Sequence, residues 1–291
     1  MAPQLDSRNF PVLLESIQDI LCTTLYTACV GRAVPVSLLL VSDSGSAKSK
    51  LVKALTCENI HMTDSISSAG LFDLMAKDAQ NKVRWITMQD FNPTLSRRPG
   101  TVNSTVANLL TLTMDGTCRV DDGRQQKVAV HNPVGLITAM TPEMFQRQGR
   151  KWFALGLSRR IIPVFYEYSA NAVREMLRAV REGKISGSDF PSVHVDISKT
   201  LEPEVGESES AQIETLGVMF STNLGLARSK NSDGQVKWFV RKILPISPTV
   251  VLRTLAQANA IRHKRNHVSN EDLQFVANFV DFTNVSRPKV I

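Results

Sequence analysis

The stretch that decides the fold is residues 36–55, which read VSLLLVSDSGSAKSKLVKAL. An apolar, β-prone run over 36–41 leads into a loop of small residues, and an amphipathic segment with Leu51, Val52 and Leu55 follows the loop. The order strand, small-residue loop, helix is the context that a phosphate-binding P-loop requires. In such a loop, consecutive backbone N–H groups and the start of the helix surround the phosphates.

Each loop residue has an expected role, and two of them depart from the pattern G-x-x-x-x-G-K-[ST]. Lys48 would reach the β- and γ-phosphates, and the Ser49 hydroxyl would hold Mg²⁺. Ser42 and Ala47 stand where the pattern has glycine. We expect alanine at position 47 to cost little free energy provided that its φ stays negative. Serine at position 42 is the larger departure, because that position begins the tight turn. A coincidental Ser/Gly-rich loop is the alternative. The predicted nucleotide-binding residues are Ser42, Asp43, Ser44, Gly45, Ser46, Ala47, Lys48 and Ser49.

Composition narrows the classes of function. The 291 residues are 43% hydrophobic and 21% charged, which suits a globular protein of one large or two modest domains. A net charge of +7 and a pI near 9.4 favour an anionic partner, nucleic acid before others. Four scattered cysteines without a C-x-x-C pair argue against zinc and for a reducing compartment. Without a signal-peptide pattern or a run of about 18 apolar residues, we expect a cytoplasmic protein that does not enter a membrane.

Alternating strand and helix patterns fill residues 1–168. A helix is predicted from Phe10 towards Gly31, and a β-hairpin over 117–130 with an Asp-Gly turn. Pro163 places the last predicted strand at a sheet edge. The remaining elements are strands over 60–66, 83–88, 134–140 and 161–166 and helices over 69–79 and 101–114. The alternation predicts an α/β core with a parallel sheet flanked by helices.

Residues 169–291 are expected to form a second, smaller α-helical domain. Its predicted helices cover 172–182, 212–227, 248–265 and 271–282, and Ser269 with Asp272 would cap the last one. Residues 199–212, KTLEPEVGESESAQ, are acidic and lack aromatic side chains. We expect them to be a flexible loop.

Several segments resemble the minichromosome-maintenance (MCM) branch of the AAA+ ATPases. SDSGSAKS is similar to the family's G-D-P-G-x-A-K-S, in which alanine also precedes the lysine. Matching segments follow in the family's order: Gln89-Asp90-Phe91, Thr141-Pro142, Ser158-Arg159 and a helix around Arg253. The resemblance covers about residues 30–170 and 245–285. It implies an AAA+ core with a helical lid that binds ATP and Mg²⁺; magnesium-chelatase-like relatives are an alternative branch.

The acid that works with Mg²⁺ has two possible positions. The family's D-E-F-D is replaced here by Gln89-Asp90-Phe91-Asn92. If Phe91 sets the register, Gln89 replaces the metal-associated acid and Asp90 stands in for the catalytic one. If Asp90 is itself the metal-associated acid, Phe91 occupies the water-activating position and hydrolysis should be poor. A third interpretation is that Asp90 only caps a turn. The resemblance therefore implies Ser49 and Asp90 as metal residues.

Three further roles come only from the resemblance. Thr141 takes the place of the asparagine that senses the γ-phosphate. Arg159 matches the arginine finger, which acts on a phosphate held by the adjacent subunit and so implies a homo-oligomeric ring or filament, a hexamer being expected. Arg160 replaces the family's phenylalanine, so either arginine could face the phosphate. Arg253 matches the second sensor arginine of the lid.

Contacts with DNA are expected at the predicted hairpin. MCM-like proteins carry a pore hairpin with a basic tip at this place, which implies that Arg124 or Lys127 faces DNA in a central channel. Such charges contact phosphates without sequence preference. The two aspartates at the tip oppose that role, and a plain β-hairpin is the alternative.

The resemblance implies an MCM-like ATPase that acts on DNA as an accessory motor or loader of a mobile element or defence system. Because Ser42 and Gln89 depart from the motifs, the alternative is a nucleotide-gated oligomeric scaffold. It would hydrolyse ATP weakly or not at all and recruit an effector such as a nuclease or transposase. A protein-remodelling chaperone is a third class.

Overall fold

The fold is that of an α/β protein, seen here in a computed structural model. The structure describes residues 14–31, 33–121, 126–155, 157–182, 193–194, 197, 200–230, 236–286 and 288–291. The strands are β1 Ser37–Val41, β2 Leu55–Thr56, β3 Ile60–Met62, β4 Trp85–Met88, β5 Thr117–Asp121, β6 Gln126–Val130, β7 Gly135–Met140, β8 Ile161–Glu167, β9 Val193–His194, β10 Leu226–Lys230, β11 Val236–Val240 and β12 Lys289–Val290. The helices are α1 Glu15–Tyr26, α2 Lys48–Ala54, α3 Ser68–Lys77, α4 Asn92–Leu95, α5 Pro99–Asp115, α6 Pro142–Leu155, α7 Ala170–Arg181, α8 Glu207–Leu224, α9 Ile246–Arg262 and α10 Asn270–Phe282, with single 3₁₀ turns at Thr27–Cys29 and Leu157–Arg159.

A six-stranded parallel sheet forms the centre of the molecule, in the order β12-β8-β1-β7-β4-β3. Strands β1, β4 and β7 are buried along their whole length, as expected for apolar strands that are covered on both faces. The predicted α/β core with a parallel sheet flanked by helices is confirmed at this level.

Two hydrophobic clusters cover the two faces of the sheet. Successive side chains of a strand point to opposite faces, so Leu38 and Leu40 of β1 pack with α1 and with α8, α9 and α10. Leu39 and Val41 pack on the other face with α3 and α5. The helices of the C-terminal part therefore share one core with the sheet, and a domain division at residue 168 stays a prediction.

Several local predictions are confirmed. The two strands of the hairpin over 117–130 are present as antiparallel β5 and β6, and its predicted Asp-Gly turn lies outside the described residues. Ser269 and Asp272 form the expected capping box at the start of α10. On one side of β8, Pro163 pairs with Leu39 of β1. On the other side, β12 pairs only with Tyr166 and Glu167, so among the described residues no second strand lies beside Pro163, and β8 is at the sheet edge there.

The C-terminal part differs from the expected all-helical arrangement. Strands β10 and β11 form an antiparallel pair, and β12 joins the central sheet. The predicted loop over 199–212 is also shorter than expected, because α8 begins at Glu207. Glu207 and Glu209 lie in its first turn, where the helix dipole favours negative charge, so the acidic composition reflects a helix start.

A partly exposed carboxylate that accepts several hydrogen bonds should make the stability depend on pH. Asp78 follows α3 and accepts hydrogen bonds from the backbone N–H groups of Val83 at 2.7 Å and Lys82 at 3.1 Å, and lies 2.8 Å from His131 Nε2. Burial alone raises the pKa of Asp78, but the bonds from Val83, His131 and Lys82 outweigh it and hold the pKa below its usual value. The folded state therefore gains stability above the unfolded-state pKa of about 4 and loses it as the pH falls through the lower folded-state value.

We expect Asp78→Asn to be less stable than the wild type near neutral pH, with a difference that shrinks as the pH falls below about 4. Urea unfolding of both proteins across this range measures it. A difference that stays constant with pH would contradict the prediction.

Candidate functional site

The loop between β1 and α2 has the alternating backbone of an anion-binding turn. Gly45 has φ 82°, and Ala47, the residue before α2, has φ 64° and ψ 9°. Such turns direct successive backbone N–H groups towards one side. The condition under which Ala47 would be a mild departure, a negative φ, is therefore not met. Ser42 is not among the positive-φ residues, so the strained departure from glycine lies at Ala47, where a Cβ disfavours this conformation.

We expect Ala47→Gly to raise the free energy of unfolding by about 1 kcal/mol, because glycine adopts positive φ without the steric cost of a Cβ. Ala107→Gly is the matched control, since Ala107 is exposed in the interior of α5 and should instead lose about 1 kcal/mol. Urea unfolding curves of the two variants should shift in opposite directions; shifts of the same sign would argue against strain at Ala47.

Lys48 is folded onto the loop that precedes it. Its Nζ donates to the carbonyl oxygens of Ser42 at 2.6 Å and Asp43 at 2.5 Å and to Ser46 Oγ at 3.1 Å. Burial lowers the pKa of Lys48, and the carboxylates of Asp43, Asp90 and Glu143 oppose this shift. All three ammonium protons can therefore be placed on loop oxygens. A bound phosphate would replace these loop oxygens as the acceptor of the hydrogen bonds that Lys48 donates.

Two tyrosines at the end of β8 donate hydrogen bonds to the loop between β1 and α2. The Tyr166 and Tyr168 hydroxyls both donate to the Ser46 carbonyl oxygen, at 3.1 and 3.2 Å. Burial raises the pKa of Tyr166 far above its ordinary value and that of Tyr168 to about 12, so both hydroxyls remain protonated donors. Sequence reasoning missed this pair. Its signal was the Tyr-x-Tyr spacing, which places both side chains on one face of an extended strand.

The predicted residues of the core meet at the carboxyl edge of the sheet. Ser49 Oγ donates to the Gln89 carbonyl oxygen at 3.1 Å, which joins α2 to the end of β4. The backbone N–H of Phe91 donates to Ala139 of β7, so Asp90 lies beside the end of the strand that leads to Thr141. Parallel α/β sheets bind ligands at this edge.

Asp90 also has a local structural role. Its Oδ1 accepts a hydrogen bond from the Asn92 backbone N–H at 2.9 Å, and its Oδ2 lies 3.4 Å from the Asn92 side-chain amide. This is the turn-capping interaction expected as one of its alternatives. Glu143, in the first turn of α6, is a second acid that sequence reasoning missed, and its negative charge opposes the lowering of the Lys48 pKa.

The chemistry of the loop and its neighbours fits a phosphate with Mg²⁺. A Cβ on Gly45 would meet no atom within 4 Å, so the loop faces open space there. The part of the chain that the structure describes holds no group of three or more His, Cys, Asp or Glu side chains arranged for a metal ion. Mg²⁺ needs no such group, since it is commonly held by one or two protein oxygens together with phosphate and water. The Ser49 hydroxyl and the Asp90 carboxylate offer oxygens of that kind.

Arg159 lies at the opposite edge of the sheet from the loop. It ends the 3₁₀ turn two residues before β8, whose first residue Ile161 pairs with Ser37 at the start of β1. The length of β1 separates Arg159 from the loop between β1 and α2 by roughly 16 Å, beyond the reach of an arginine side chain. Arg159 is exposed, whereas Arg160 is half-buried and its Nη1 lies 3.4 Å from the Leu110 carbonyl oxygen. Of the two arginines, Arg159 is the more accessible to another molecule.

Among the described residues, no contact joins Arg253 to the loop between β1 and α2. It is exposed on α9 and lines an open cavity of about 700 Å³ whose other lining residues include Glu202, Glu204, Glu209 and His267. None of the loop residues 42–49 lines this cavity. The sensor role of Arg253 stays a prediction.

The expected DNA contacts are only partly visible. Arg124 lies outside the described residues, and Lys127 is exposed in β6 opposite Val120. Two arginines of the basic run over 262–265 form ion pairs within the protein: Arg262 pairs with Asp19, and Arg265 pairs with Glu271 and Asp272. These two arginines hold helices together and are less available to a phosphate backbone.

Helices in the described ranges are each too short or too polar to cross a bilayer. All four cysteines lie in those ranges, and none forms a disulfide bond. Comparison of the sequence with protein-family models and with curated proteins finds no match.

Proposed function

We propose that this protein is an MCM-like AAA+ ATPase that binds ATP and Mg²⁺ at residues 42–49, assembles into a ring or filament, and acts on DNA as an accessory motor or loader. The observation that carries the proposal is the meeting of Lys48, Ser49, Asp90 and Thr141 at the carboxyl edge of a parallel sheet. Residues from three separate strand ends converge there around a loop that is built like an anion-binding turn.

The residues of the site have distinct tasks in this proposal. ATP with Mg²⁺, when bound, supplies the reactive γ-phosphoryl group and the cation that offsets its charge. The loop N–H groups and Lys48 bind phosphate oxygens, and Tyr166 and Tyr168 hold the loop in position. Asp90 accepts a proton from the attacking water, and the Thr141 hydroxyl orients that water.

Arg159 acts in a neighbouring subunit, because it lies at the sheet edge opposite its own loop. A mixing experiment tests this arrangement. Lys48→Met and Arg159→Ala should each abolish ATP turnover alone, and a mixture should regain it, since a mixed interface pairs an intact loop with an intact arginine. Phosphate release measures turnover. A mixture that stays inactive while both variants still oligomerise would refute action between subunits.

The DNA part of the proposal rests on the net charge of +7 and on exposed Lys127. ATP turnover should rise when single- or double-stranded DNA is added, and binding of a fluorescent oligonucleotide should weaken steeply with salt. Binding that ignores salt, together with turnover that ignores DNA, would favour a protein-remodelling role.

A nucleotide-gated scaffold is the second candidate, and the contacts of Asp90 favour it. Its carboxylate is engaged by the Asn92 amide groups, and Gln89 offers only a carbonyl oxygen to Ser49. Slow hydrolysis would follow from a site with too few free acids.

We expect Gln89→Asp to raise ATP turnover by about tenfold or more if the missing acid limits hydrolysis. Gln274→Asp is the control, because Gln274 is exposed on α10. Single-turnover phosphate release from both variants measures the effect. Equal turnover in Gln89→Asp and the wild type would count against a missing acid as the limiting defect.

A further inference from the structure

A second cavity lies at the amino edge of the sheet, away from the P-loop. Its volume is about 380 Å³, within the range of small-molecule sites. The chain entering β1 at Val34, the end of α5 at Met114 and the first turns of α9 at Val250 form its walls. Most lining side chains are apolar, and the others are hydroxyl-bearing residues and two arginines.

Those arginines, Arg159 and Arg160, give the cavity a positive charge. No acidic side chain is among the described residues that line it. Burial lowers the pKa of Arg160, the positive charge of Arg159 lowers it further, and Asp115 offsets the shift only in part. The two guanidinium groups therefore repel each other beside an apolar space, and an anion bound between them would relieve that repulsion.

Entry to the cavity is open. Three apolar lining residues are exposed to solvent, Val34 by 43%, Met114 by 41% and Val250 by 59%, whereas apolar side chains of a hydrophobic core are normally buried. The Thr113 and Thr254 hydroxyls already donate to the backbone carbonyl oxygens of Leu110 and Val250. The two arginines are the charged groups among the described lining residues, so they are best placed to select an acidic ligand.

We propose that this cavity binds a small amphipathic anion, an apolar chain or ring that carries one carboxylate or a similar acid. The apolar walls formed by Val34, Met114 and Val250 take up the body of the ligand. Arg159, assisted by Arg160, binds the acid group through charge-assisted hydrogen bonds. The inference rests on the cavity alone and does not require the P-loop to bind a nucleotide.

Calorimetric titration with decanoate and with decanol tests the proposal, because these probes share a chain and differ in charge. The wild type should bind decanoate saturably at one site per chain and decanol more weakly. Arg159→Gln should weaken decanoate binding by about tenfold and leave decanol binding unchanged.

A filled cavity provides the second arm. Val250→Trp, which adds bulk at an exposed lining position, should abolish binding of both probes. Val218→Trp is the matched control on α8, where Val218 is 56% exposed and does not line the cavity, and it should bind like the wild type. Thermal unfolding establishes that the variants are folded. Absence of saturable decanoate binding in the wild type, equal affinity for decanol, or unchanged binding in Val250→Trp would overturn the proposal.

Discussion

Gly135→Ala is expected to lower the free energy of unfolding by about 3 kcal/mol. A Cβ at this position would lie 2.0 Å from Cζ3 and 2.3 Å from Cε3 of Trp85, far inside van der Waals contact. Trp85 pairs with Gly135 across β4 and β7 and is fully buried, so the indole has no open space into which it could move. Either the strands separate or the ring leaves its rotamer, and both are costly in a close-packed core.

Gly100→Ala provides the control, because the same methyl group there meets no atom within 4 Å. Gly100 lies in the first turn of α5, and alanine should leave the stability unchanged or raise it by up to about 1 kcal/mol. Urea unfolding followed by circular dichroism measures both variants. Equal unfolding midpoints for the two would show that the contact between Trp85 and Gly135 is not as tight as described.

The second large effect is expected for Lys48→Met, which should weaken ATP binding and turnover at least about a hundredfold. Methionine has nearly the same length but removes the ammonium group that contacts three loop oxygens. Without it, less positive charge offsets the repulsion between phosphate oxygens and the nearby carboxylates of Asp43, Asp90 and Glu143.

Lys53→Met is the control for that substitution, since Lys53 is exposed in the last turn of the same helix. Titration with a fluorescent ATP analogue measures binding, and thermal unfolding separates loss of binding from loss of fold. If Lys48→Met binds the analogue as Lys53→Met does, the loop is not a nucleotide site.

Much of the core could be predicted because its signals are local. The strand–loop–helix order over 36–55, the pairing of β5 with β6 and the capping box each depend on residues that are close together in sequence. The second hairpin was missed although Asp233-Gly234 carries the same turn signal between β10 and β11. The acidic composition of residues 199–212 predicts a flexible loop, but the position of two of its glutamates at the start of α8 explains that composition better.

The features that could not be predicted depend on distant contacts. Local sterics favour negative φ at Ala47, but Tyr166 and Tyr168, more than a hundred residues away, hold the carbonyl group next to it. The double role of Asp90 likewise follows from the turn to Asn92. The position of Arg159 at the amino edge of the sheet could have been predicted from the sequence. A residue just before a parallel strand must lie at the edge opposite the loops that follow such strands.

The proline in β8 has a consequence for how the protein behaves in concentrated solution. A parallel sheet ends in strands whose free N–H and C=O groups can recruit a strand from another molecule and seed aggregates. One outer strand, β3, has only three residues. On the other side, β12 covers the end of β8, and Pro163 has no N–H to offer in the part that β12 leaves uncovered. Among the described residues, both margins of the sheet are therefore poor templates, which protects the folded protein against edge-to-edge aggregation.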